Sequence, residues 1–105
     1  MPVEVNDSNF ETEVLKSDKA IVDFWAEWCG PCRVLGPRFE ELSNEMTDVK
    51  FFKVNVDNNQ QTAAKFEIRS IPTILLFKIG QMVGKIIGAL PKDALKQKIE
   101  QVFAQ

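Results

Sequence analysis

Apolar residues along the chain fall into two patterns, runs typical of strands and stripes typical of helices. The run from Ala20 to Ala26 is rich in Ile, Val, Phe and Trp, which is typical of a central strand buried on both faces. Near the end of the chain Gly80-Gln81 separates two apolar runs, so we expect a tight turn and an antiparallel hairpin. The predicted strands are residues 3–5, 20–26, 49–56, 74–79 and 82–87.

The sequence after Pro31 changes to a helical period. An apolar residue recurs every three or four positions, which places a single stripe on one face of a helix. Pro31 is compatible with the first turn of that helix, whereas Pro37 lies inside it and removes one backbone hydrogen bond. We therefore expect a bent axis at Pro37, which the neighbouring Gly36 favours. The stripe consists of Leu35, Phe39, Leu42 and Met46.

Three shorter helices complete the pattern. Ser8 and Glu11 fit a capping box at the start of the first, and Asp57 or Asn58 is expected to cap the second, residues 58–66. The third closes the chain and has the apolar stripe Leu95, Ile99, Val102 and Phe103. The order β-α-β-α-β-α-β-β-α predicts an α/β fold, in which a parallel βαβ portion and an antiparallel hairpin share one sheet with helices on both faces.

The composition limits the classes of protein to which the chain can belong. Its 105 residues, 45% of them apolar, predict a single domain over residues 1–105. The net charge is −2 without a basic cluster, so we expect no nucleic acid and no anionic membrane as a partner. No apolar run approaches the ~20 residues of a membrane span, and the N-terminus lacks the pattern of a signal peptide. We expect a monomer in a reducing compartment, the cytoplasm.

Cys29 and Cys32 are the only cysteines, and they lie where the first long apolar run gives way to the long helix. A disulfide between them would close a ring of four residues, which the chain-entropy model credits with only ~2 kcal/mol, against ~3 for a fifteen-residue loop. A four-ligand zinc site would need two further Cys or His ligands, which the chain lacks. The pair is therefore better explained by redox chemistry than by stabilisation or metal binding.

The position of the pair predicts different roles for the two thiols. Cys29, at the start of the helix, meets free backbone N–H groups and the positive end of the helix dipole, which favour a thiolate. We expect Cys29 to be exposed and to attack, and Cys32 to be covered and to resolve the mixed disulfide. Gly30 lets another backbone come close, and Pro31 stiffens the ring and removes a donor.

Asp23 interrupts the most apolar run of the chain. Because side chains of a strand alternate, Asp23 shares a face with Ile21 and Trp25. Burial raises the pKa of an isolated carboxyl group, which suits a proton acceptor for a departing thiol. Lys53, in the second strand run, is its candidate counter-charge, so a buried ion pair with a purely structural role is an equally good interpretation.

Four segments of the chain resemble the thioredoxin family, in register from the first helix to the last. The core Trp28-Cys29-Gly30-Pro31-Cys32 is highly specific for that family. The matching segments are residues 23–32 followed by Pro37, residues 53–57, residues 68–73 and Gly88-Ala89. The resemblance implies the thioredoxin fold, a central mixed β-sheet flanked by four helices on both faces.

The resemblance also implies an activity, that of a general protein disulfide reductase. Cys29 would attack a substrate disulfide and Cys32 would release the product. Thioredoxin reductase would then restore the dithiol with electrons from NADPH, and no cofactor would be bound. Asp23 matches the family's buried carboxylate, linked to Cys32, and Lys53 matches its partner. Pro72 matches the family's cis-proline, which faces the disulfide.

The resemblance implies a docking surface for disulfide-containing proteins, with the backbone at Ile71 pairing with an extended substrate segment. Core packing and turns are the other interpretation of its residues. The surface would consist of Trp28, Gly30, Pro31, Ile71, Gly88 and Ala89. Two other functions stay open, a binding module of the same fold in which redox chemistry is incidental, and a subunit of a larger complex.

The chain departs from the family pattern at two positions that bear on structure. Gly36 stands where alanine is common, so we expect a looser helix there. Ile79 stands where a polar turn residue is usual, which predicts either an exposed apolar side chain or a different hairpin register.

Overall fold

The apolar run after Lys19 forms the central strand of a five-stranded sheet in the computed structural model, which describes residues 1–105. The strands are β1 (Val3–Glu4), β2 (Lys19–Trp25), β3 (Lys50–Asn55), β4 (Thr73–Lys78) and β5 (Gln81–Ile87). The helices are α1 (Glu11–Leu15), α2 (Gly30–Glu45), α3 (Gln60–Lys65) and α4 (Lys92–Phe103). The predicted order of strands and helices is confirmed.

The sheet is mixed, as predicted. Its strand order is β1-β3-β2-β4-β5, with β1 and β2 parallel to β3, and with β4 antiparallel to both β2 and β5. Because β2 and β3 are parallel neighbours, the segments that follow them leave the sheet at the same end. The segment after β2 contains both cysteines, and the segment after β3 lies beside it.

Side chains of β2 alternate between two core layers, which explains the nearly continuous apolar run. Ile21 packs in the layer that includes the buried stripes of α2 and α4, whereas Val22 and Phe24 pack in the layer on the side of α1. Residues 20–24 are at most 1% exposed. Asp23 is the only ionisable side chain among them, and by alternation it lies on the α2 side of the sheet.

Helix α2 buries the predicted stripe and contains Pro37, as expected. The helix continues past Pro37 to Glu45. The four residues of the stripe are all buried against the sheet, with Met46 at the C-terminal cap. The helix thereby holds its first turn, and the cysteines, against the end of β2.

The turn before α1 differs from the predicted capping box. The Ser8 hydroxyl donates to Asn6 Oδ1 at 2.7 Å instead of accepting from the helix. The same oxygen accepts from the backbone N–H groups of Ser8 and Asn9 at 2.9 and 3.0 Å. The prediction for Ser8 and Glu11 is therefore wrong, because the Asn6 side chain accepts the Ser8 N–H that Glu11 would have bound and engages the Ser8 hydroxyl as a donor.

The cap of α3 comes from a residue distant in sequence. Asp7 Oδ1 accepts hydrogen bonds from the backbone N–H of Thr62 at 2.9 Å and from its hydroxyl at 2.6 Å. The Thr62 hydroxyl is the main cause of the lowered pKa of Asp7. The prediction that Asp57 or Asn58 caps this helix is wrong, since Asp7 accepts the hydrogen bond from the first turn of the helix that a cap residue would have accepted.

The turn between β4 and β5 is shifted by one residue from the predicted position. Lys78 and Gln81 are Cα partners, so the two turn residues are Ile79 and Gly80. Both have positive φ, 51° and 79°, which the commonest two-residue hairpin turn requires. The Ile79 side chain is 75% exposed, one of the two outcomes expected for an apolar residue there.

Candidate active site

The two cysteines lie at the junction of β2 and α2 and are joined by a disulfide with a Cα–Cα distance of 5.2 Å. Cys29 is the N-cap of α2, and its Sγ accepts a hydrogen bond from the backbone N–H of Cys32 at 3.2 Å. Pro31 offers no N–H in the same turn. The start of α2 thus directs a backbone donor and the positive end of its dipole at the Cys29 sulfur, which stabilises an anion there.

The two cysteines do not differ in exposure as predicted. Cys29 is 4% exposed and Cys32 is 5% exposed. The Ile71 segment contacts Cys29, and Ile71, Trp25 and Val56 pack against the small cluster of Ala26 and the two cysteines. The prediction of an exposed Cys29 is therefore wrong, and the asymmetry of the pair lies in the helix N-terminus that acts on Cys29.

The segment before β4 lies against the disulfide. The carbonyl oxygen of Ile71 is 3.8 Å from Cys29 Sγ, and the Ile71–Pro72 peptide bond is cis. The Pro72 carbonyl accepts a hydrogen bond from the backbone N–H of Gly88 at 3.0 Å. Gly88 has a φ of 96°, a conformation that glycine adopts without strain. The structure thus brings Ile71, Pro72 and Gly88 to the side of Cys29.

The other predicted docking residues differ in how far they are exposed. Trp28 is 67% exposed, and Gly30 and Pro31 are also exposed. A Cβ on Gly30 would meet no atom within 4 Å, so the space beside it is open to another chain. Ala89 is half-buried and packs against the core layer of α2 and α4.

Asp57, one of the two residues that the sequence predicts as the cap of α3, lies in this site instead. Its Oδ2 accepts a hydrogen bond from Trp28 Nε1 at 2.9 Å, which orients the exposed indole beside the disulfide. Trp28 follows β2 and Asp57 follows β3. The predicted parallel pairing of those strands was the signal that could have placed the two side chains together.

Asp23 is buried without a hydrogen-bond partner for its Oδ1. Desolvation raises its pKa to about 7, the Lys53 charge opposes that rise, and the Glu4 charge adds to it. Loss of water favours the neutral form of a carboxyl group. A group with this pKa can take up a proton near neutral pH.

Lys53 faces Asp23 across the pairing of β2 and β3 but forms no ion pair with it. Its Nζ lies 4.6 Å from the centroid of the Trp25 ring, and Trp25 Nε1 donates to Glu4 Oε2 at 3.4 Å. Glu4, Lys53 and Asp23 are in register across β1, β3 and β2. Lys53 therefore acts on Asp23 through its charge rather than by direct contact.

No group of three or more His, Cys, Asp or Glu side chains could hold a metal ion. No helix is long and apolar enough to cross a membrane.

Comparisons with known proteins agree over nearly the whole chain. The thioredoxin family model matches residues 1–101. The thioredoxin of Haemophilus influenzae is 52% identical over 99 residues, which cover 92% of each chain. The thioredoxin of Chlorobaculum thiosulfatiphilum is 49% identical over 100 residues, which cover 93% of each chain. That of Rhodospirillum rubrum is 50% identical over 99 residues, or 92% of this chain and 95% of the relative.

Proposed function

The chain belongs to the thioredoxin family of dithiol–disulfide oxidoreductases, and we propose that residues 1–105 act as one domain that reduces disulfides in other proteins. The observation that carries the proposal is the Cys29–Cys32 disulfide at the start of α2, where the helix N-terminus acts on Cys29. The disulfide form is the product of one turnover, and the dithiol form is the reductant.

The reaction consists of two thiol–disulfide exchanges. The Cys29 thiolate attacks one sulfur of the substrate disulfide, forms a mixed disulfide and releases the other substrate sulfur as a thiol. The Cys32 thiol then loses its proton and attacks Cys29 Sγ, which releases the second substrate thiol. The substrate gains two electrons and two protons, and the enzyme keeps the Cys29–Cys32 disulfide.

Asp23 is the proton acceptor for Cys32 in this scheme. The carboxyl group lies on the sheet face that α2 covers, and its pKa of about 7 lets it exchange a proton at neutral pH. Lys53 and Glu4 adjust its proton affinity through their opposite charges. A structural ion pair is the weaker assignment for Asp23, since Lys53 does not contact it.

Substrates dock on the surface around the disulfide. An extended segment of the substrate pairs with the Ile71 backbone, next to Pro72, in the manner of an added strand. The open space at Gly30 and the indole of Trp28, oriented by Asp57, support this assignment. The docking surface consists of Trp28, Gly30, Pro31, Ile71, Gly88 and Ala89.

The disulfide form must be reduced again for turnover. We assign this step to thioredoxin reductase with electrons from NADPH, and the chain itself acts as a monomer without a bound cofactor. A reductant of protein disulfides serves a compartment that keeps its cysteines reduced, so we place the protein in the cytoplasm.

An insulin-reduction assay coupled to thioredoxin reductase tests this function through the oxidation of NADPH. The wild-type chain should support turnover, and Cys29→Ser should abolish it because the attacking thiolate is lost. Lys98→Met, on the exposed face of α4, is the control for a change of surface charge. Turnover by Cys29→Ser would contradict the mechanism. If the wild-type chain supported no turnover, a binding module would be the better interpretation.

A further inference from the structure

We propose that Arg38 is a positioning residue that holds the segment from Gly88 to Leu90 in the shape that receives protein substrates. The inference rests on the docking surface proposed above, which includes Gly88 and Ala89. It predicts an effect on the docking of proteins and none on the thiol chemistry itself.

The contact joins the helix of the cysteines to the far side of the docking surface. Arg38 lies in α2, and its Nη1 donates to the carbonyl oxygens of Ala89 and Leu90 at 3.1 and 2.9 Å. The Arg38 side chain is half-buried and has no carboxylate partner. Its cationic donor is therefore committed to these two carbonyls, and charge-assisted hydrogen bonds are the stronger kind.

The segment needs this support because it belongs to no strand or helix. β5 ends at Ile87 and α4 begins at Lys92. No backbone N–H outside the strands and helices donates to the carbonyl of Ala89 or Leu90. Arg38 thus supplies to these carbonyls the donor that regular structure would otherwise provide.

The two ends of the segment are fixed to the two sides of the active site. The Gly88 N–H is bound to the carbonyl of Pro72, beside the disulfide, and Arg38 ties the other end to α2. With both anchors in place, Gly88 and Ala89 keep a constant position relative to Cys29. Without Arg38, the Pro72 hydrogen bond and the packing of Ala89 and Leu90 on the core would be the remaining restraints on the segment. A large substrate would then have to order the segment further on binding.

The test compares a protein disulfide with a small one in single-turnover reactions without a reductase. Pre-reduced Arg38→Met is mixed with insulin and, separately, with 5,5′-dithiobis(2-nitrobenzoate), which is too small to span the docking surface. The rate constant with insulin should fall about 3- to 10-fold, the range expected for losing such hydrogen bonds, through weaker binding. The rate constant with the small disulfide should change by less than about 2-fold.

Two further variants separate positioning from general stability. Arg38→Lys keeps the charge and one donor, so it should recover part of the insulin rate, and it carries the test if Arg38→Met does not fold. Lys98→Met loses a charge on an exposed face and should match the wild type with both substrates. Equal losses with the two disulfides, or no loss with insulin, would overturn the role of Arg38. A wild type that reduces only the small disulfide would instead refute the proposed function.

Discussion

Asp23 combines burial, an unpartnered Oδ1 and a raised pKa, and together these make folding stability depend on pH. In the unfolded chain the carboxyl group titrates near its ordinary value of 3.8, whereas in the folded protein its pKa is about 7. Between these values the folded protein keeps a proton that the unfolded chain has released. The contribution of Asp23 to stability is therefore fully present below the lower pKa and is lost as the pH rises through the higher one.

We predict that Asp23→Asn raises the free energy of unfolding at about pH 8 and leaves it nearly unchanged at about pH 4. The gain at high pH should reach roughly 4 kcal/mol, because each unit of pKa shift corresponds to about 1.4 kcal/mol. Guanidinium unfolding of the disulfide form across this range measures the effect without titrating cysteines. Parallel pH profiles for the two proteins would contradict the prediction.

The neighbouring charges supply matched controls for this experiment. Glu4→Gln keeps an oxygen for Trp25 Nε1 but removes a charge that raises the pKa of Asp23. The loss of stability on raising the pH should therefore begin at a lower pH than in the wild type. Lys53→Met removes a charge that lowers this pKa, so the decline should move to higher pH. A profile that neither variant shifts would show that another group titrates.

Among the secondary structure elements, strands were predictable where burial on both faces leaves a nearly continuous apolar run, as in residues 20–24 of β2. The cap of α3 was not predictable, because Asp7 and Thr62 are 55 positions apart and a local motif cannot indicate so distant a partner. The turn register was also missed. Ile79 adopts a positive φ that is uncommon for a β-branched residue, and the strand pairing imposes it.

Gly80 and Gly36 should respond in opposite ways to alanine. At Gly80, φ is +79° and a Cβ would lie 2.9 Å from the carbonyl oxygen of Leu15. Gly80→Ala should therefore lower the free energy of unfolding by about 1–2 kcal/mol. At Gly36, inside α2, a Cβ would meet no atom within 4 Å. Gly36→Ala should raise the free energy of unfolding by roughly 0.5–1 kcal/mol, because glycine weakens a helix interior. Guanidinium unfolding of both variants measures the two effects, and a change of the same sign in both would contradict this account.

Across the whole molecule, the candidate site combines residues from the ends of β2 and β3, the start of α2 and the loops before β4 and α4. The Cys29–Cys32 pair was predictable because its spacing is local, and Asp23 because it interrupts an apolar run. The contact of Arg38 with Ala89 joins residues 51 positions apart and has no signature in the sequence. The burial of Cys29 was missed for the same reason, since the loop at residue 71 covers it only in the folded chain.

Trapping of the mixed disulfide tests most directly the claim that Cys29 attacks and Cys32 resolves. Reduced Cys32→Ser and Cys29→Ser are each mixed with the same protein disulfide, quenched by alkylation and analysed by intact mass under non-reducing conditions. Cys32→Ser should accumulate a one-to-one adduct that peptide mapping places at Cys29, and Cys29→Ser should form at least about tenfold less. Equal adducts from the two variants, or an adduct at Cys32 alone, would contradict the account.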